Sequence, residues 1–390
     1  GELLDTNPIA LEARVQRPQP IEGVKIALLP KKTRGELVRI SLQLHYGNAT
    51  NLKGLVDAAN FLGPMMMRGT KSLNRQQIQD ALDQNLAEIS VGGGGGGGGG
   101  RGGRGMGMGG GSLGTLNVSV TTKRSNLPVV IDLLRQILRE PSFPENEFAT
   151  MKTQRLAMIE QFRSEPMFLG ANKLGRLMSK YPADDVRYAP TLEESIERLK
   201  AVSLDQVVKL HRDYLGASHG ELGAVGDFDS SELLALLRPV FEGWKSGQAY
   251  ARIERPFQDG LQATRELILT PDKANAMYLG ALAVKMSDAD PDYPALVLGN
   301  FMLGGGSIST RIADRLRQKE GLSYGAGSSF SAPALDDSGR LMINAIYNPL
   351  NQPKVIRGVD EELTRFVRDG VTAEELDKAR NGLLRQRETG

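Results

Sequence analysis

The sequence predicts an α+β protein of two homologous domains, each a mostly antiparallel sheet covered by helices. Residues 37–46 alternate apolar and polar side chains, which is typical of a strand with one buried face. Residues 127–140 carry apolar side chains at helical spacing, which predicts an amphipathic helix. Both patterns occur again, in the same order, in the second half of the chain. Strands and helices mixed in this way favour the α+β class.

An internal repeat supports the two-domain prediction. Asn60-Phe-Leu has a counterpart in Asn300-Phe-Met, 240 positions later, and Pro128-Val-Val-Ile has one in Pro353-Lys-Val-Ile, 225 positions later. The difference between the two offsets matches the excess length of a glycine tract in the first copy. A duplicated domain with a loop insertion explains both offsets. The repeat also predicts a truncated second copy, because the last helices of the first copy have no counterpart before residue 390.

Composition shifts set the domain limits. Residues 1–20 are Pro-rich and polar and are predicted to be a linker or arm. Residues 21–243 form the first domain, with a Gly-rich insertion at 92–111. Residues 244–262, polar and rich in Gly, Ser and Pro, are predicted to link it to the second domain, residues 263–390.

Within the first domain, alternation predicts strands and 3.6-residue periodicity predicts helices. The predicted strands are residues 24–30, 37–46, 116–122 and 221–229. The predicted helices are residues 55–62, 73–86, 127–140, 143–162, 167–178, 191–198, 204–215 and 230–241.

The second domain is predicted on the same grounds. Its strands are residues 266–269, 274–284 and 341–347, with a further strand that opens at Leu322. Its helices are residues 295–303, 311–319, 351–368 and 372–387.

Charge and composition exclude several classes of function. The chain has 390 residues, with 48 Lys plus Arg against 46 Asp plus Glu. Its net charge of +2 therefore does not predict binding to nucleic acid or to an anionic membrane. It has no cysteine, which excludes disulfides, thiolate metal sites and thiol catalysis. No apolar run is long enough to predict a membrane span.

The glycine tract leaves two interpretations open. Residues 92–111 contain 16 glycines, and such a segment buries too little surface to offset its ordering entropy, so a disordered loop is expected. Arg101 and Arg104 also allow an Arg/Gly tract that binds nucleic acid, although no aromatic residue accompanies them.

One helix-to-strand corner of the second domain carries candidate functional residues. Residues 311–319 predict a helix, and Gly321 stands where a left-handed residue ends one. Arg317 lies in the last turn and Tyr324 follows the corner, so a guanidinium and a phenol could be presented side by side there. Both groups can donate hydrogen bonds to a peptide carbonyl or a developing oxyanion. On spacing alone, an ordinary helix end remains the alternative, with Arg317 near the helix dipole and Tyr324 packed.

This corner resembles a motif of the pitrilysin/insulinase family of zinc peptidases, close to G-G-x-x-S-R-L-x-x-x-L-R-E-K-x-G-L-x-Y. The matching positions are Gly305, Thr310, Arg311, Ile312, Leu316, Arg317, Lys319, Gly321, Leu322 and Tyr324. The resemblance implies that Arg317 and Tyr324 contact substrate opposite the zinc of a catalytic half.

The first domain resembles the zinc-binding domain of the same family but lacks its functional residues. The family motif A-H-F-L-E-H-M-x-x-x-G-T corresponds here to residues 59–70, where Asn60, Gly63 and Pro64 stand at the first His, the Glu and the second His. In the family the two His hold zinc and the Glu activates its water. Pro64 is also expected to break the helix that presents these positions.

No other residues are expected to replace the zinc ligands. The three histidines, His45, His211 and His219, do not pair at a zinc spacing. Glu160 lies close to the position of the family's third ligand, but without the His pair it is interpreted as a helix-surface acid. The chain is therefore expected to hold no metal or other cofactor.

The resemblance implies the zinc-free half of a two-part peptidase, which closes the chamber around an unfolded peptide. The chain alone is not expected to be catalytic. Its zinc-bearing partner half is a separate subunit or part of the same polypeptide, and the family suggests the bacterial periplasm. The alternative is a non-proteolytic scaffold or assembly subunit of the same fold, since proteins that share a fold need not share a catalytic function.

Overall fold

The computed structural model describes residues 2, 5, 7–92, 113–306 and 309–389, and these residues form two compact units. The described residues up to 156, together with 197–253, make up unit 1. Residues 157–196 cluster instead with the described residues from 254 onwards, in unit 2. The predicted domain limits at 243 and 263 stay a proposal. Almost all of the predicted disordered insertion, 92–111, lies outside the described residues.

Thirteen α-helices are found in the described ranges. They are α1 (Pro8–Arg14), α2 (Val56–Met66), α3 (Arg75–Gln84), α4 (Leu127–Arg139), α5 (Glu145–Phe162), α6 (Pro166–Leu177), α7 (Leu192–Ala201), α8 (Leu204–Lys209), α9 (Ser230–Phe241), α10 (Tyr293–Asn300), α11 (Arg311–Ala313), α12 (Gln352–Asp369) and α13 (Ala373–Thr389). Short 3-10 turns cover Arg124–Asn126 and Pro349–Asn351, and π-helical turns cover Leu210–Tyr214, Phe301–Gly305 and Asp314–Lys319.

The same ranges contain eight strands in two sheets. They are β1 (Val24–Pro30), β2 (Leu37–His45), β3 (Glu88–Gly92), β4 (Thr115–Lys123), β5 (Gly220–Gly226), β6 (Ala276–Val284), β7 (Ser323–Ser331) and β8 (Gly339–Tyr347). The α+β prediction is confirmed.

The sheet of unit 1 has the strand order β1-β5-β2-β4-β3. β5 runs parallel to β1 and antiparallel to β2, and the remaining pairs are antiparallel. Alternate residues of β2 are buried, as the sequence pattern predicts, because a strand turns successive side chains to opposite faces. Helix α2 packs against β3 and α8, and α4 packs against α9.

Unit 2 contains an antiparallel sheet of order β6-β8-β7. Helices α11 and α12 contact this sheet over a core cluster of buried residues, and α6 packs against β6. The members of the cluster are Leu303, Ile312, Leu316, Leu322, Ile343, Ala345, Tyr347, Val355 and Val359.

The strand predicted at residues 266–269 is wrong. These residues have no regular secondary structure, although three of the four side chains are apolar. A strand is defined by its pairing with a neighbour, and no described strand pairs with this segment.

No helix in the described part of the chain is both long enough and apolar enough to cross a bilayer.

Candidate functional site

The predicted corner of the second domain is built around Gly321. The helix that begins at α11 continues as a π-helical turn to Lys319, and the side chain of Thr310 caps its start by accepting from the N–H of Ala313 at 3.4 Å. Gly321 has φ of +60°, which confirms the predicted left-handed residue. The N–H of Leu322 then donates to the carbonyl oxygen of Leu316 at 2.7 Å, which fixes the reversal of the chain.

The backbone of the corner is anchored by two buried apolar side chains. Leu316 and Leu322 are both buried, and both belong to the core cluster of unit 2. Arg317 follows Leu316 directly, and Tyr324 comes two residues after Leu322. The packed leucines therefore hold the backbone of both candidate residues in place, while the two side chains remain free to face outward.

A β-bulge presents Tyr324. In the pairing of β7 with β8, Ser323 lies opposite Tyr347 and Gly325 lies opposite Ile346, so Tyr324 is an extra residue without a partner position. A bulge of this kind turns a side chain away from the regular alternation of the strand. Tyr324 is 65% exposed as a result.

Ser323 holds the bulge from inside. Its buried hydroxyl lies 2.7 Å from the carbonyl oxygen of Ile346 and 2.8 Å from that of Gly325. The same hydroxyl oxygen accepts from the N–H of Gly325 at 3.2 Å. One side chain thus bridges the irregular stretch of β7 and the neighbouring strand.

Arg317 differs from the other arginines of its helix. Arg311 donates to Glu375 through two nitrogens, each at 2.9 Å, and Arg315 donates to Glu361 at 2.6 Å. The side chain of Arg317 is exposed and makes no hydrogen bond or ion pair to any residue that the structure describes. Two of the three guanidinium groups hold the fold together, and the third is available to an outside acceptor.

Helix α2, in unit 1, contains the three residues predicted to stand at the positions of the zinc motif, Asn60, Gly63 and Pro64. The prediction that Pro64 breaks this helix is wrong, because α2 runs through Pro64 to Met66. A proline inside a helix leaves the carbonyl four residues before it without its N–H donor. Here that carbonyl belongs to Asn60, and Arg155 of α5 donates to it through Nη2 at 2.9 Å. The guanidinium therefore replaces the hydrogen bond that Pro64 removes.

Gly63 leaves no room for a side chain. A Cβ at this position would lie 2.7 Å from Cα and 2.8 Å from N of Gly92, and 2.9 Å from the carbonyl carbon of Val91. All three are backbone atoms of β3, which a rotamer change cannot move. Helix α2 and β3 thus approach each other closely at Gly63, the residue predicted to stand at the position of the family's Glu.

The residues present do not fit a zinc ion. The backbone carbonyl of Asn60 accepts a hydrogen bond from Arg155. Gly63 has no side chain, and Pro64 has no metal-binding group. The guanidinium of Arg155 also lies 4.1 Å from the centre of the Phe61 ring, so a permanent cation already covers this face of α2. A second cation close by would be repelled.

Sequence reasoning missed Arg155, although a signal was present. It lies at helical spacing from Phe148, Met151 and Ile159, which are the buried residues of α5. A basic residue within an apolar stripe indicates a specific partner. Burial lowers the pKa of Arg155, yet an arginine in a protein keeps its charge.

The three histidines serve the structure of unit 1. Nε2 of His45 lies 2.6 Å from Glu221, the His219 ring contacts Tyr250, and Nε2 of His211 lies 2.8 Å from the carbonyl of Leu138. Burial lowers the pKa of His211.

Glu160 lies on the surface of α5, as predicted, 3.4 Å from Arg163. The described residues contain no group of three or more His, Cys, Asp or Glu side chains that could hold a metal ion.

Comparison with known proteins identifies related sequences and folds. Residues 201–383 match the family model described as the peptidase M16 inactive domain. The chain is 26% identical over 353 residues to the non-peptidase homolog YmxG of Helicobacter pylori, and the alignment covers 88% of this chain and 73% of that protein.

Solved structures share the fold. The peptidase M16 inactive domain from Pseudomonas fluorescens superposes with a TM-score of 0.72 at 21% identity, covering 95% of this chain and 83% of that one. The periplasmic protease PqqL from Escherichia coli superposes with a TM-score of 0.71 at 13% identity. There the match covers 98% of this chain but 40% of the other.

Proposed function

Because the chain is a relative of the M16 zinc peptidases, the pitrilysin/insulinase group, and matches their inactive domain, we propose that it is the zinc-free half of such a peptidase. It closes the peptide chamber opposite a zinc-bearing half and binds an unfolded peptide. The likeness to PqqL, in which a region of this fold makes up part of a longer protease, supports a second half of comparable size.

The observation that carries this proposal is the corner around Gly321. Arg317 and Tyr324 follow two packed leucines, both side chains are exposed, and Arg317 is left out of the ion pairs that engage Arg311 and Arg315. A purely structural corner has no need of a bulge that exposes a phenol.

The chemistry of the two side chains suits a peptide in the act of cleavage. The guanidinium of Arg317 and the hydroxyl of Tyr324 donate hydrogen bonds to the substrate backbone and to the oxyanion of the tetrahedral intermediate. A donor aimed at the developing charge stabilises the transition state more than the ground state. Water activation belongs to the zinc-bearing half, since this chain has no base at the position of Gly63.

The arrangement of the two units supports a duplicated domain. In unit 1 the order is β2, two helices, β3, β4, a 3-10 turn, then α4 and α5. In unit 2 it is β6, two helical segments, β7, β8, a 3-10 turn, then α12 and α13. The three strands are arranged β2-β4-β3 in one sheet and β6-β8-β7 in the other. Unit 1 would thus correspond to the domain that binds zinc in the catalytic half. Unit 2 carries the corner with Arg317 and Tyr324.

Turnover by the assembled peptidase tests the proposal. The chain is combined with a zinc-bearing half that contains the family's H-x-x-E-H motif, either part of the same polypeptide or a separate subunit, and cleavage of a quenched fluorescent peptide is measured. The variants Arg317→Ala and Tyr324→Phe should each lower turnover by about 10²–10³-fold, the loss that one oxyanion donor typically causes. Part of that loss will show in KM if the residue also binds the ground state.

Matched variants separate this role from general effects on the surface. Arg357 is an exposed arginine of α12 and Tyr293 is a half-buried tyrosine of α10, both in unit 2. Arg357→Ala and Tyr293→Phe should leave turnover unchanged. If the Arg317 and Tyr324 variants are folded by circular dichroism and as active as these controls, the scaffold alternative takes the place of the proposal.

A further inference from the structure

One face of the unit 2 sheet is exposed along its middle strand, β8. Ile343 and Tyr347 of this strand belong to the core cluster, to which α12 also contributes. Successive side chains of a strand point to opposite faces, so the even-numbered residues of β8 lie on the face away from that cluster. Three of them, Arg340, Asn344 and Ile346, are exposed. This face is therefore accessible to an outside ligand along β8.

The exposed face carries a positive charge that no acidic residue of the sheet balances. The register places Arg340 between Ala283 of β6 and Ser331 of β7. The residues of β6 on this face are apolar, and those of β7 are glycine or serine. No Asp or Glu stands on this face of any of the three described strands. A negatively charged ligand would thus meet no repulsion from the strands.

Arg340 is also left without a partner. Neither Arg340 nor Arg255 makes a hydrogen bond or an ion pair with any residue in the described ranges. The protein atoms around the Arg340 guanidinium partly bury it, which lowers its pKa, and the positive charge of Arg255 lowers the pKa further. An arginine in a protein nevertheless keeps its charge. Two like charges therefore repel each other here, and a bound anion would relieve that repulsion.

Arg340 and the corner that carries Tyr324 lie at opposite ends of the pair β7–β8. Ile346 lies opposite Gly325, the neighbour of Tyr324 in the chain, whereas Arg340 lies opposite Ser331. Six residue steps along β8 separate Arg340 from Ile346, which is about 20 Å at roughly 3.3 Å per residue. An extended peptide has the same rise per residue, so about six of its residues span this distance.

We propose that Arg340 binds a carboxylate of the peptide substrate, about six residues from the peptide bond held at Arg317 and Tyr324. Arg255 strengthens the attraction, and the chain favours acidic peptides over neutral ones. The carboxylate belongs to an Asp or Glu side chain or to the C-terminus of a short peptide, since both present the same planar acceptor to a guanidinium. The inference rests on the proposed function, from which it takes a peptide as the ligand.

Peptide binding to the 390-residue chain tests the proposal without a zinc-bearing half. Two peptides of about 14 residues, which extend at least six residues to either side of a central bond, are labelled at the N-terminus and amidated at the C-terminus. They differ only in one internal residue, Glu or Gln. Fluorescence anisotropy should give a Kd about 3–10-fold lower for the Glu peptide, because a carboxylate accepts two hydrogen bonds from a guanidinium.

A third peptide separates the two sources of the carboxylate. It contains Gln and ends in a free carboxylate instead of an amide. Tighter binding of this peptide than of its amidated form, lost on Arg340→Gln, would assign the site to the peptide C-terminus. Tighter binding of the Glu peptide, lost on the same substitution, would assign it to an acidic side chain. Either result supports the proposal.

Substitutions show whether Arg340 is responsible. Arg340→Gln should abolish the preference for the carboxylate, and Arg340→Glu should reverse it in favour of a peptide with Lys at the same position. Arg255→Gln should weaken the preference without abolishing it. Circular dichroism checks that the variants are folded, which is expected because neither side chain has a partner to lose. Arg357→Gln is the matched control, at an exposed arginine of α12 on the covered side of the sheet, and should keep the preference.

Turnover by the assembled peptidase tests the spacing. One Glu is moved stepwise along an otherwise neutral quenched peptide, and mass spectrometry identifies the bond that is cut. KM should be lowest when the Glu lies about six residues from that bond. The value of kcat should change little, because Arg340 is far from the reacting atoms and binds ground state and transition state alike. Arg340→Gln should remove the dependence of KM on the position of the Glu.

The results that would overturn this inference differ from those that would overturn the proposed function. Equal binding of all three peptides, or a preference that survives Arg340→Gln, refutes the carboxylate site. Turnover that depends on Arg317 but shows no preference for Glu refutes the inference and leaves the proposed function standing. Binding of acidic peptides through Arg340, in a chain that supports no turnover with a zinc-bearing half, refutes the proposed function alone.

Discussion

Replacing Gly63 by alanine tests the claim that α2 and β3 pack too closely for any side chain. At most glycines inside helices, substitution by alanine stabilises the protein, because the helix propensity of alanine is more favourable by about 1 kcal/mol. At Gly63 the new Cβ would lie 2.7 to 2.9 Å from three backbone atoms of β3. Overpacking typically costs about 1–3 kcal/mol, and the upper end applies because backbone atoms cannot rotate away. The net expectation is a loss of about 2 kcal/mol, the difference between these two effects.

Gly175 offers a matched control for this substitution. It also lies inside a helix, α6, but an added Cβ would meet nothing within 4 Å. Gly175→Ala should therefore stabilise unit 2 by about 0.5–1 kcal/mol. Urea unfolding measures both variants by circular dichroism, and the single tryptophan, Trp244, reports on unit 1 through its fluorescence. If Gly63→Ala is as stabilising as Gly175→Ala, the close approach of α2 to β3 is refuted.

The remaining predictions concern metal, acid and the bulge. The unchanged chain should hold far less than one zinc after dialysis, because it lacks the His pair. The triple variant Asn60→His, Gly63→Glu, Pro64→His should do the same, because a side chain at position 63 cannot be accommodated against β3 and would displace α2, which carries both new histidines. A stoichiometric ion by elemental analysis would contradict this prediction. The hydrogen bonds from Arg311, followed by one from the Thr372 backbone, lower the pKa of Glu375 from 4.5 to about 2. Their stabilising effect is complete above pH 4.5 and is lost as the pH falls through about 2. Glu375→Gln should therefore lower the free energy of unfolding by at most about 1 kcal/mol at pH 7 and leave it unchanged near pH 2, as measured by urea titrations. Ser323→Ala should lower the free energy of unfolding by about 1–2 kcal/mol, because it removes the hydroxyl that bridges the bulge. Ser329→Ala, at an exposed serine of the same strand, should change it by almost nothing. Equal losses in denaturant unfolding would argue against the bridge.

Local patterns predicted the regular elements well. The alternation at residues 37–46 and the glycine at 321 depend on rules that act within a few residues, and the structure confirms both. The strand predicted at 266–269 failed for a physical reason. Its sequence suits a strand, but a strand also requires a partner, and pairing depends on chain that is distant in sequence.

The candidate sites show the same limit. The spacing of Arg317 and Tyr324 indicated a shared corner, but it could not show that Ser323 bridges a bulge to expose Tyr324. The effect of Pro64 was predicted wrongly because a local rule ignores Arg155, which lies 91 positions away and supplies the missing donor. Long-range hydrogen bonds of this kind leave only weak traces in a single sequence.

The contacts around Pro64 also bear on how such a protein can change over generations. A histidine at position 64 restores an amide that competes with Arg155 for the carbonyl of Asn60. A glutamate at position 63 separates α2 from β3. A single change to the zinc motif's residue at position 63 or 64 is thus expected to give a less stable protein that still lacks a complete metal site. The packing of α2 against β3 and the hydrogen bond from Arg155 thus oppose the gain of a zinc motif at these positions by single substitutions.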